Sequence, residues 1–276
     1  MNPQSSNRPQ SRPRRILLTR SAEGNKAWAE ELAAQSYEAV SLPCLRHHQV
    51  DDEDTARHLA SLWRPGEWWL FTSPRGVQST HALLSKTVAL HSPNLSPDLL
   101  SSGERPKIGA VGPATAEICE RLLGGYDLVA SPNTGKALAQ SLVKRLDAEG
   151  QDLKQVVVAA ADRGRRDLEE ILEPRGVKVE RITVYSTAPA ARNKGEEPTN
   201  LEDLDLDGVF IASPSAMEGL DALAQIPPSW DVPVVAIGPT TASSLEGRGF
   251  RVSVSESPSL TGMLHTLGKA LNSEAS

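Results

Sequence analysis

The sequence predicts an α/β protein with two doubly wound domains, each built around a parallel sheet. Its 276 residues fit two domains of roughly 100–200 residues each. Short apolar runs alternate with amphipathic stretches, which is typical of parallel strands joined by right-handed helical crossovers. Three motifs recur in the same order along the chain, and this recurrence indicates an internal duplication.

Each expected strand is a short apolar run, because the strands of a parallel sheet are buried on both faces. The runs begin at Ile16 (ILLT), Trp68 (WWLFT), Lys107 (KIGAV), Val156 (VVVAAA), Gly208 (GVFIA) and Val232 (VPVVAIG). The expected helices lie between these runs and have apolar residues at helical spacing. The clearest begin at Ala27 (AWAEELAAQ), Ala116 (AEICERLLG), Gly135 (GKALAQSLVKRL) and Asp167 (DLEEILEPR).

The duplication is visible in three pairs of similar segments. They are 15–32 with 156–172, 71–77 with 211–217, and 110–116 with 236–242. The first copy is longer because it contains the Ser/Pro-rich stretch 85–106. We expect this stretch to be an exposed insertion, since loops tolerate added residues.

Composition limits the partners of the protein. Its net charge is −6, from 29 Lys and Arg against 35 Asp and Glu, so no nucleic-acid partner is expected. No apolar run approaches the roughly 18 residues of a membrane span, so no membrane partner is expected either. Two cysteines cannot form a disulfide framework, which favours a reducing, cytoplasmic location. An acidic small molecule can still be the ligand of a protein with this net charge if positive charge and backbone donors are gathered in one cleft.

Ser-Pro and Gly-Pro motifs follow the expected strands and begin the expected helices. They are either simple caps, since Pro suits the first helical position, or anion sites formed by free N–H groups and the helix dipole. In doubly wound folds such helix starts lie where ligands bind, at the carboxyl ends of the strands. Both interpretations stay open for the six motifs at Ser73, Gly112, Ser131, Ser213, Gly238 and Ser257.

Several kinds of chemistry lack a sequence signal. The Gly-Pro motifs have neither the dinucleotide-binding spacing nor a P-loop pattern. The histidines show no metal-ligand spacing, and for His47 and His48 a surface or linker role is favoured. No nucleophile elbow is present. We therefore expect no metal, no cofactor and no activated nucleophile.

Arginine and tyrosine side chains are the remaining candidates. Arg20 follows the first strand, and Arg163, Arg165 and Arg166 follow the equivalent strand of the second copy. At the carboxyl ends of strands they could pair with carboxylates, although a solvated salt bridge is the alternative for each. Tyr185 ends an apolar strand at an expected crossing between the domains, where it either donates a hydrogen bond or packs in the hinge.

The ordered motifs FTSPRGV, AVGPATA, VYSTAP, ASPSAM and AIGPTTA resemble the uroporphyrinogen-III synthase family, from about Ile16 to Leu271. The resemblance implies two flavodoxin-like domains joined by a two-strand linker. It implies domain 1 at residues 15–44 and 188–276, domain 2 at 47–184, and linker strands near 42–48 and 183–190. Residues 1–14 are expected to be a disordered tail.

The resemblance also implies a reaction, namely that of a lyase in tetrapyrrole biosynthesis. The linear tetrapyrrole hydroxymethylbilane loses water and closes to uroporphyrinogen III, with its last ring inverted through an azafulvene and a spiro intermediate. The pyrrole nitrogen itself expels the hydroxyl, so no cofactor is required. The protein is then expected to be a monomer that receives the bilane from the preceding synthase.

The family's site residues transfer to matching positions of this sequence. Substrate binding is implied at Ser73, Thr115, Ser213, Thr240 and Thr241, and catalysis at Tyr185. A phenol is protonated at neutral pH and can help the hydroxyl leave as water. Arg20 does not come from the resemblance. Its position after the first strand suggests it as a partner for a substrate carboxylate. The alternatives are a non-catalytic module that binds tetrapyrroles or other polyanions, and more distantly a nucleotide-sugar transferase.

Overall fold

The computed structural model describes residues 12–91, 105–228 and 230–272. The greater part of the expected tail, and of the expected insertion at 85–106, lies outside the described residues. The chain divides into two compact units. The first unit takes the residues up to Arg46 and those from Ala188 onward, and the second unit is His47–Thr187.

The regular elements follow the expected alternation of strand and helix. The strands are β1 (Arg14–Leu18), β2 (Tyr37–Ser41), β3 (Leu45–Gln49), β4 (Trp68–Phe71), β5 (Lys107–Ala110), β6 (Leu128–Val129), β7 (Gln155–Ala161), β8 (Lys178–Pro189), β9 (Thr199–Asn200), β10 (Gly208–Ile211), β11 (Ala224–Gln225), β12 (Val234–Ala236) and β13 (Val252–Val254). The helices are α1 (Ala22–Ala33), α2 (Glu53–Leu62), α3 (Pro74–His91), α4 (Pro113–Leu123), α5 (Gly135–Glu149), α6 (Glu169–Leu172), α7 (Pro214–Leu223), α8 (Pro239–Ser243) and α9 (Leu260–Asn272). Single 3₁₀ turns occur at Glu173–Arg175 and Leu201–Leu204.

The first unit contains a five-stranded parallel sheet in the order β13-β12-β10-β1-β2. Counted along the chain this is the order 2-1-3-4-5, one of the two common doubly wound arrangements. Successive residues of β1 pack into different cores, with Leu17 in one and Ile16 and Leu18 in the other. Burial on both faces explains why the strand is apolar throughout.

The second unit contains a six-stranded sheet in the order β3-β8-β7-β4-β5-β6, parallel from β8 to β6. Trp68 and Leu70 of β4 face one core, and Trp69 and Phe71 face the other. All four side chains are at most 1% exposed, so this strand is central and covered on both faces.

The predicted α/β class with parallel sheets is confirmed. The helix expected from Asp167 is much shorter than its sequence pattern suggested, because α6 is a single turn followed by a 3₁₀ turn. Pro174 lacks the N–H that an α-helix would need at this position. In the part of the chain that the structure describes, every helix is too short or too polar to span a membrane.

Candidate active site

Two helices begin with the same serine cap at the carboxyl ends of β4 and β10. The Ser73 Oγ accepts a hydrogen bond from the Gly76 N–H at 3.1 Å, and the Ser213 Oγ accepts one from the Ala216 N–H, also at 3.1 Å. Proline follows each serine at the first helical position, where no N–H is needed. The capping interpretation of both motifs is therefore confirmed, and anion binding stays a prediction.

The two Gly-Pro motifs begin helices without a side-chain cap. Gly112 precedes α4 and Gly238 precedes α8, and neither helix start has a capping side chain. The first-turn N–H groups of a helix have no partner within the helix. These two starts thus present backbone donors at the carboxyl edges of their sheets.

Two other helices begin a few residues later than their Ser-Pro motifs. The cap of α5 is Thr134, whose Oγ1 accepts from the Ala137 N–H at 3.1 Å. At α9, the Ser259 Oγ accepts from the Gly262 N–H at 3.1 Å. The expectation that Ser131 and Ser257 begin these helices is wrong, because oxygens further along the chain supply the caps.

Tyr185 is turned inward by an irregularity in the pairing of β7 and β8. Ala160 pairs with Thr183, but Ala161 pairs with Tyr185, so the register shifts by one residue between them. Val184 and Tyr185 are consequently both buried although they are neighbours in a strand. Such bulges re-aim side chains and are frequent beside active sites.

The Tyr185 phenol is held by partners from other strands and loops. Its oxygen lies 3.1 Å from the Ser73 Oγ, and the residue is 9% exposed. The His47 ring packs edge-on against the phenol ring, with 5.7 Å between the ring centroids. The His47 Nδ1 lies 3.0 Å from the Thr187 Oγ1. These contacts fix both the ring and its hydroxyl within the second unit.

His47 had not been predicted to belong to the site. An available signal was its position on one of the two expected linker strands, opposite the strand that carries Tyr185. Sequence alone gives no pairing register for such strands, so it could not show which histidine meets the phenol.

The three predicted threonines differ in exposure. Thr115 in α4 is 2% exposed and Thr241 in α8 is 4% exposed, whereas Thr240 is exposed. The Thr241 carbonyl also accepts a hydrogen bond from the Ser244 hydroxyl at 2.6 Å. Thr115 and Thr241 therefore offer little surface of their own to a ligand.

Arg20 lies beside a cavity of 410 Å³ in the first unit. Its guanidinium carbon is 4.4 Å from the centroid of the Trp28 ring, and its Nη1 donates to the Gly24 carbonyl at 3.3 Å. Burial lowers the pKa of Arg20, and the charge of Glu31 opposes this effect. A partly buried cation at a sheet edge gains from an added carboxylate, because the pair restores lost solvation.

A second cavity, of 230 Å³, lies at the carboxyl edge of the second unit, with Thr72, Asn133 and Arg165 in its lining. Arg181 fixes the loop of Arg165, since its Nη2 donates to the Arg165 carbonyl at 2.8 Å. Arg181 also forms two hydrogen bonds with the buried Glu169, at 2.6 and 3.0 Å. The arginines predicted to follow β7 therefore differ in their surroundings. Arg165 lines a cavity, whereas the side chain of Arg163 is 81% exposed.

Neither cysteine has the properties of a nucleophile. Burial raises the pKa of both Cys44 and Cys119 to about 12, so the thiolate is scarce at neutral pH. Among the described residues, no group of three or more His, Cys, Asp and Glu is arranged to hold a metal ion.

Fold and site together define a class of protein. Two doubly wound parallel sheets each present helix starts at their carboxyl edges, and one edge also carries a buried phenol hydrogen-bonded to a serine. The family model described as uroporphyrinogen-III synthase HemD matches residues 26–265. The chain belongs to the uroporphyrinogen-III synthase family.

Two curated relatives support this membership. A porphyrin biosynthesis protein HemD from Ruminiclostridium josui is 25% identical over 253 residues, which make up 92% of this chain and 48% of that protein. The chain thus spans about half the length of this relative. The chloroplastic uroporphyrinogen-III synthase of Oryza sativa subsp. japonica is 24% identical over 267 residues, covering 94% of this chain and 81% of that protein.

A solved structure shows the same fold. The uroporphyrinogen-III synthetase of Helicobacter pylori 26695 superposes with a TM-score of 0.53 at 18% identity, covering 94% of this chain and 99% of that chain. At this identity the likeness concerns the fold alone.

Proposed function

We propose that this protein is a uroporphyrinogen-III synthase, which closes hydroxymethylbilane to uroporphyrinogen III with loss of water. The observation that carries the proposal is the Tyr185 phenol, held 3.1 Å from the Ser73 Oγ at the carboxyl edge of a sheet in a member of this family. Ligands of doubly wound folds bind at this edge. A phenol can give a proton to a leaving hydroxyl.

In the proposed reaction, Tyr185 donates its proton to the hydroxyl of the bilane as the carbon–oxygen bond breaks. The lone pair of the adjacent pyrrole nitrogen supplies the electrons, so water leaves and an azafulvenium cation remains. The terminal ring then attacks through its substituted carbon, and the spiro intermediate fragments and recloses with this ring inverted. The proton released when the ring regains aromaticity restores the phenol.

Substrate binding is proposed for the remaining predicted residues. Arg20 suits a substrate carboxylate because it is partly buried and lines a cavity, although Glu31 lines the same cavity. Ser213 and Thr240 stand at helix starts, where N–H groups favour anions. For the buried Thr115 and Thr241, we propose that the backbone of the helix start is the binding group.

The catalytic contribution of the protein is mainly positioning. The bilane expels its own hydroxyl through the pyrrole nitrogen, so neither a metal nor an organic cofactor is needed for this chemistry. The protein must hold a flexible polycarboxylate in the one conformation that closes with inversion. Such orientation accounts for much of the rate advantage of an enzyme, and a positioned acid adds about 10²–10⁴-fold.

A coupled assay tests the proposed function. A hydroxymethylbilane-forming enzyme supplies the substrate continuously, and chromatography of the oxidised products separates the type III isomer from the type I isomer that forms without catalysis. We expect the type III isomer to dominate when this protein is present. A product ratio equal to that of the uncatalysed reaction contradicts the proposal, and tight binding of the bilane without turnover would favour a regulatory module.

Tyr185→Phe tests the role of the phenol in the same assay. Removing the hydroxyl should lower kcat about 100-fold without abolishing the type III product, because positioning is retained. Tyr126→Phe is the matched control, since Tyr126 is 45% exposed in the same unit. Equal kcat in the two variants would remove Tyr185 from catalysis.

We further propose that the protein acts as a cytoplasmic monomer that receives the bilane from the enzyme making it. The free, buried cysteines Cys44 and Cys119 are compatible with a reducing compartment. Light scattering coupled to size exclusion gives the oligomeric state. The transfer is tested by keeping the two enzymes apart with a membrane permeable to the bilane. Direct transfer predicts that a larger fraction of the product is then the uncatalysed type I isomer, and an unchanged fraction contradicts it.

A further inference from the structure

Ser73 has a second interaction besides its helix cap, and this interaction assigns it a role. We propose that Ser73 is a positioning residue that donates a hydrogen bond to the Tyr185 oxygen and stabilises the phenolate formed when Tyr185 gives up its proton. This inference rests on the proposed function and differs from the sequence-based expectation that Ser73 holds a substrate carboxylate.

The direction of the hydrogen bond follows from the groups around the serine. The Ser73 Oγ has one proton and two lone pairs, and one lone pair accepts from the Gly76 N–H at 3.1 Å. The Tyr185 oxygen lies 3.1 Å away. If Tyr185 gives its own proton to the leaving hydroxyl, the proton between the two side chains must come from Ser73.

The start of helix α3 strengthens this donor. The helix has 18 residues, and its aligned peptide dipoles place partial positive charge at its first turn. The Gly76 N–H belongs to this turn and polarises the serine hydroxyl. A hydroxyl polarised in this way is a better donor to a developing anion, and hydrogen bonds to charged groups are roughly twice as strong as neutral ones.

Close packing of α3 against β7 makes the contact possible. A Cβ added at Gly76 would lie 2.9 Å from the Ala159 carbonyl oxygen, which is closer than side-chain carbons approach backbone. The equivalent position of the first unit is Ala216, which accommodates a methyl group and is fully buried. Glycine at 76 thus lets α3 approach the strand next to β8, within reach of the Tyr185 hydroxyl.

Protons balance through the reaction. Tyr185 loses its proton to the hydroxyl of the bilane, and water leaves. The phenolate accepts the hydrogen bond from Ser73, which keeps its own proton throughout. The proton lost by the closing ring returns to the phenolate and ends the cycle. Ser73 thus lowers the energy of the phenolate without becoming a proton donor to substrate.

Turnover measurements on four variants test the role of Ser73. Ser73→Ala and Ser73→Asp should each lower kcat about 10-fold or more with KM nearly unchanged. Aspartate retains the helix cap but, as a carboxylate, has no proton to donate, so it separates the donor role from folding. Ser73→Thr keeps a hydroxyl and should have a kcat near that of the wild type. Asp52→Ala removes the exposed cap of α2 and should leave kcat unchanged.

A double-mutant cycle decides between acting through Tyr185 and acting on substrate. In a Tyr185→Phe background, Ser73→Ala should have no further effect on kcat, because the phenolate it stabilises is never formed. Independent effects of the two changes, or a rise in KM with kcat unchanged, would overturn the proposal.

A spectroscopic measurement tests the pair without turnover. The chain has three tyrosines, so the ¹³Cζ resonances of labelled protein can be assigned with Tyr185→Phe. The Tyr185 resonance should move in Ser73→Ala and stay in place in Asp52→Ala. If the wild-type protein makes no type III product and the resonance still moves, the proposed function fails while the hydrogen-bonded pair stands. An unmoved resonance contradicts the pair itself.

Discussion

The first unit begins its sheet with β1 and β2 and adds β10, β12 and β13 later. In the second unit, apart from the edge strand β3, the strands β4, β5 and β6 come first and β7 and β8 come last. From β2 to β13 and from β8 to β6, the parallel strands nevertheless stand in equivalent order. The duplicated segments occupy equivalent places, because 15–32 contains β1 and 156–172 contains β7. The two sheets thus have the same spatial arrangement of strands, although the strands follow one another differently along the chain.

The two edges also differ in their polar groups. In the first unit, the buried Asn25 of α1 joins the ends of β1 and β2, since its Nδ2 donates to the Leu18 carbonyl at 2.9 Å and to the Ser41 Oγ at 3.0 Å. At the second unit, the equivalent neighbourhood of β7 and β8 carries the Tyr185 phenol, bonded to Ser73. The two units therefore share their strand order and their serine caps, while a buried asparagine lies at one edge and a buried phenol at the other.

The largest contrast between the units is in their ion pairs. Arg181 and Glu169 of the second unit have side chains that are 13% and 8% exposed, and Arg248 and Asp221 of the first unit are 36% and 39% exposed. Arg181→Met should lower the free energy of unfolding by about 3–5 kcal/mol, because it leaves a buried carboxylate unpaired. Arg248→Met should cost about 0–1 kcal/mol. Urea unfolding at neutral pH gives both values.

The buried pair also predicts an acid-sensitive stability. Desolvation raises the pKa of Glu169, but hydrogen bonds from Arg181 and the backbone outweigh it and leave the pKa lowered. The contribution is therefore complete above the ordinary glutamate pKa of about 4.3 and is lost as the pH falls through the lowered value. The difference in stability between wild type and Arg181→Met/Glu169→Leu should shrink in acid. A constant difference would contradict this assignment.

The two Gly-Pro motifs should differ in their need for glycine. Gly112 has φ 77° and ψ 170°, a region that is essentially limited to glycine, whereas Gly238 has φ −173° and ψ 175°, which is ordinary extended backbone. Gly112→Ala should destabilise the protein by about 1–3 kcal/mol, and Gly238→Ala by no more than about 0.5 kcal/mol. Thermal unfolding measures both.

A second variant separates backbone strain from collision at Gly112. A Cβ there would lie 2.5 Å from the Asn133 Cγ, so part of the cost could be relieved by shortening this side chain. We expect Asn133→Ala to recover little of the loss, since the strain is in the backbone. Full recovery would show that the collision is the cause.

The smallest expected effect concerns the paired serine caps. Ser73→Ala and Ser213→Ala should each lower the free energy of unfolding by about 1 kcal/mol, because both remove the same 3.1 Å cap. The kinetic effects should differ, with a lower kcat for Ser73→Ala and a higher KM for Ser213→Ala. Identical kinetic changes in the two variants would mean that the serines of the two edges have the same role.

Many of the strands and helices could be predicted from local sequence. Apolar runs such as WWLFT identified central strands, since only a strand covered on both faces buries neighbouring tryptophans. Other elements had no such signal. The strand β2, with the sequence YEAVS, lies at the sheet edge and has a mixed burial pattern, and α6 ends early at a proline whose effect the apolar spacing concealed.

The candidate site was predicted residue by residue but not as an arrangement. Ser73 and Tyr185 were both singled out, yet 112 residues separate them and their contact depends on how β8 pairs with β7. Thr115 and Thr241 were singled out as substrate-binding residues, yet both are almost fully buried. A surface or linker role was favoured for His47, and its contact with the Tyr185 ring was not predicted because the two residues lie on distant strands.

The sequence by itself determined the α/β class, the caps at Ser73 and Ser213 and the duplication, because each depends on residues near one another in the chain. Tertiary structure alone decided that the phenol of Tyr185 meets Ser73. This contact requires the register shift at Ala160 and Ala161 and the close approach of α3 that Gly76 permits. Both are properties of packed, distant segments, and a one-residue change in register would turn Tyr185 to the other face of the sheet.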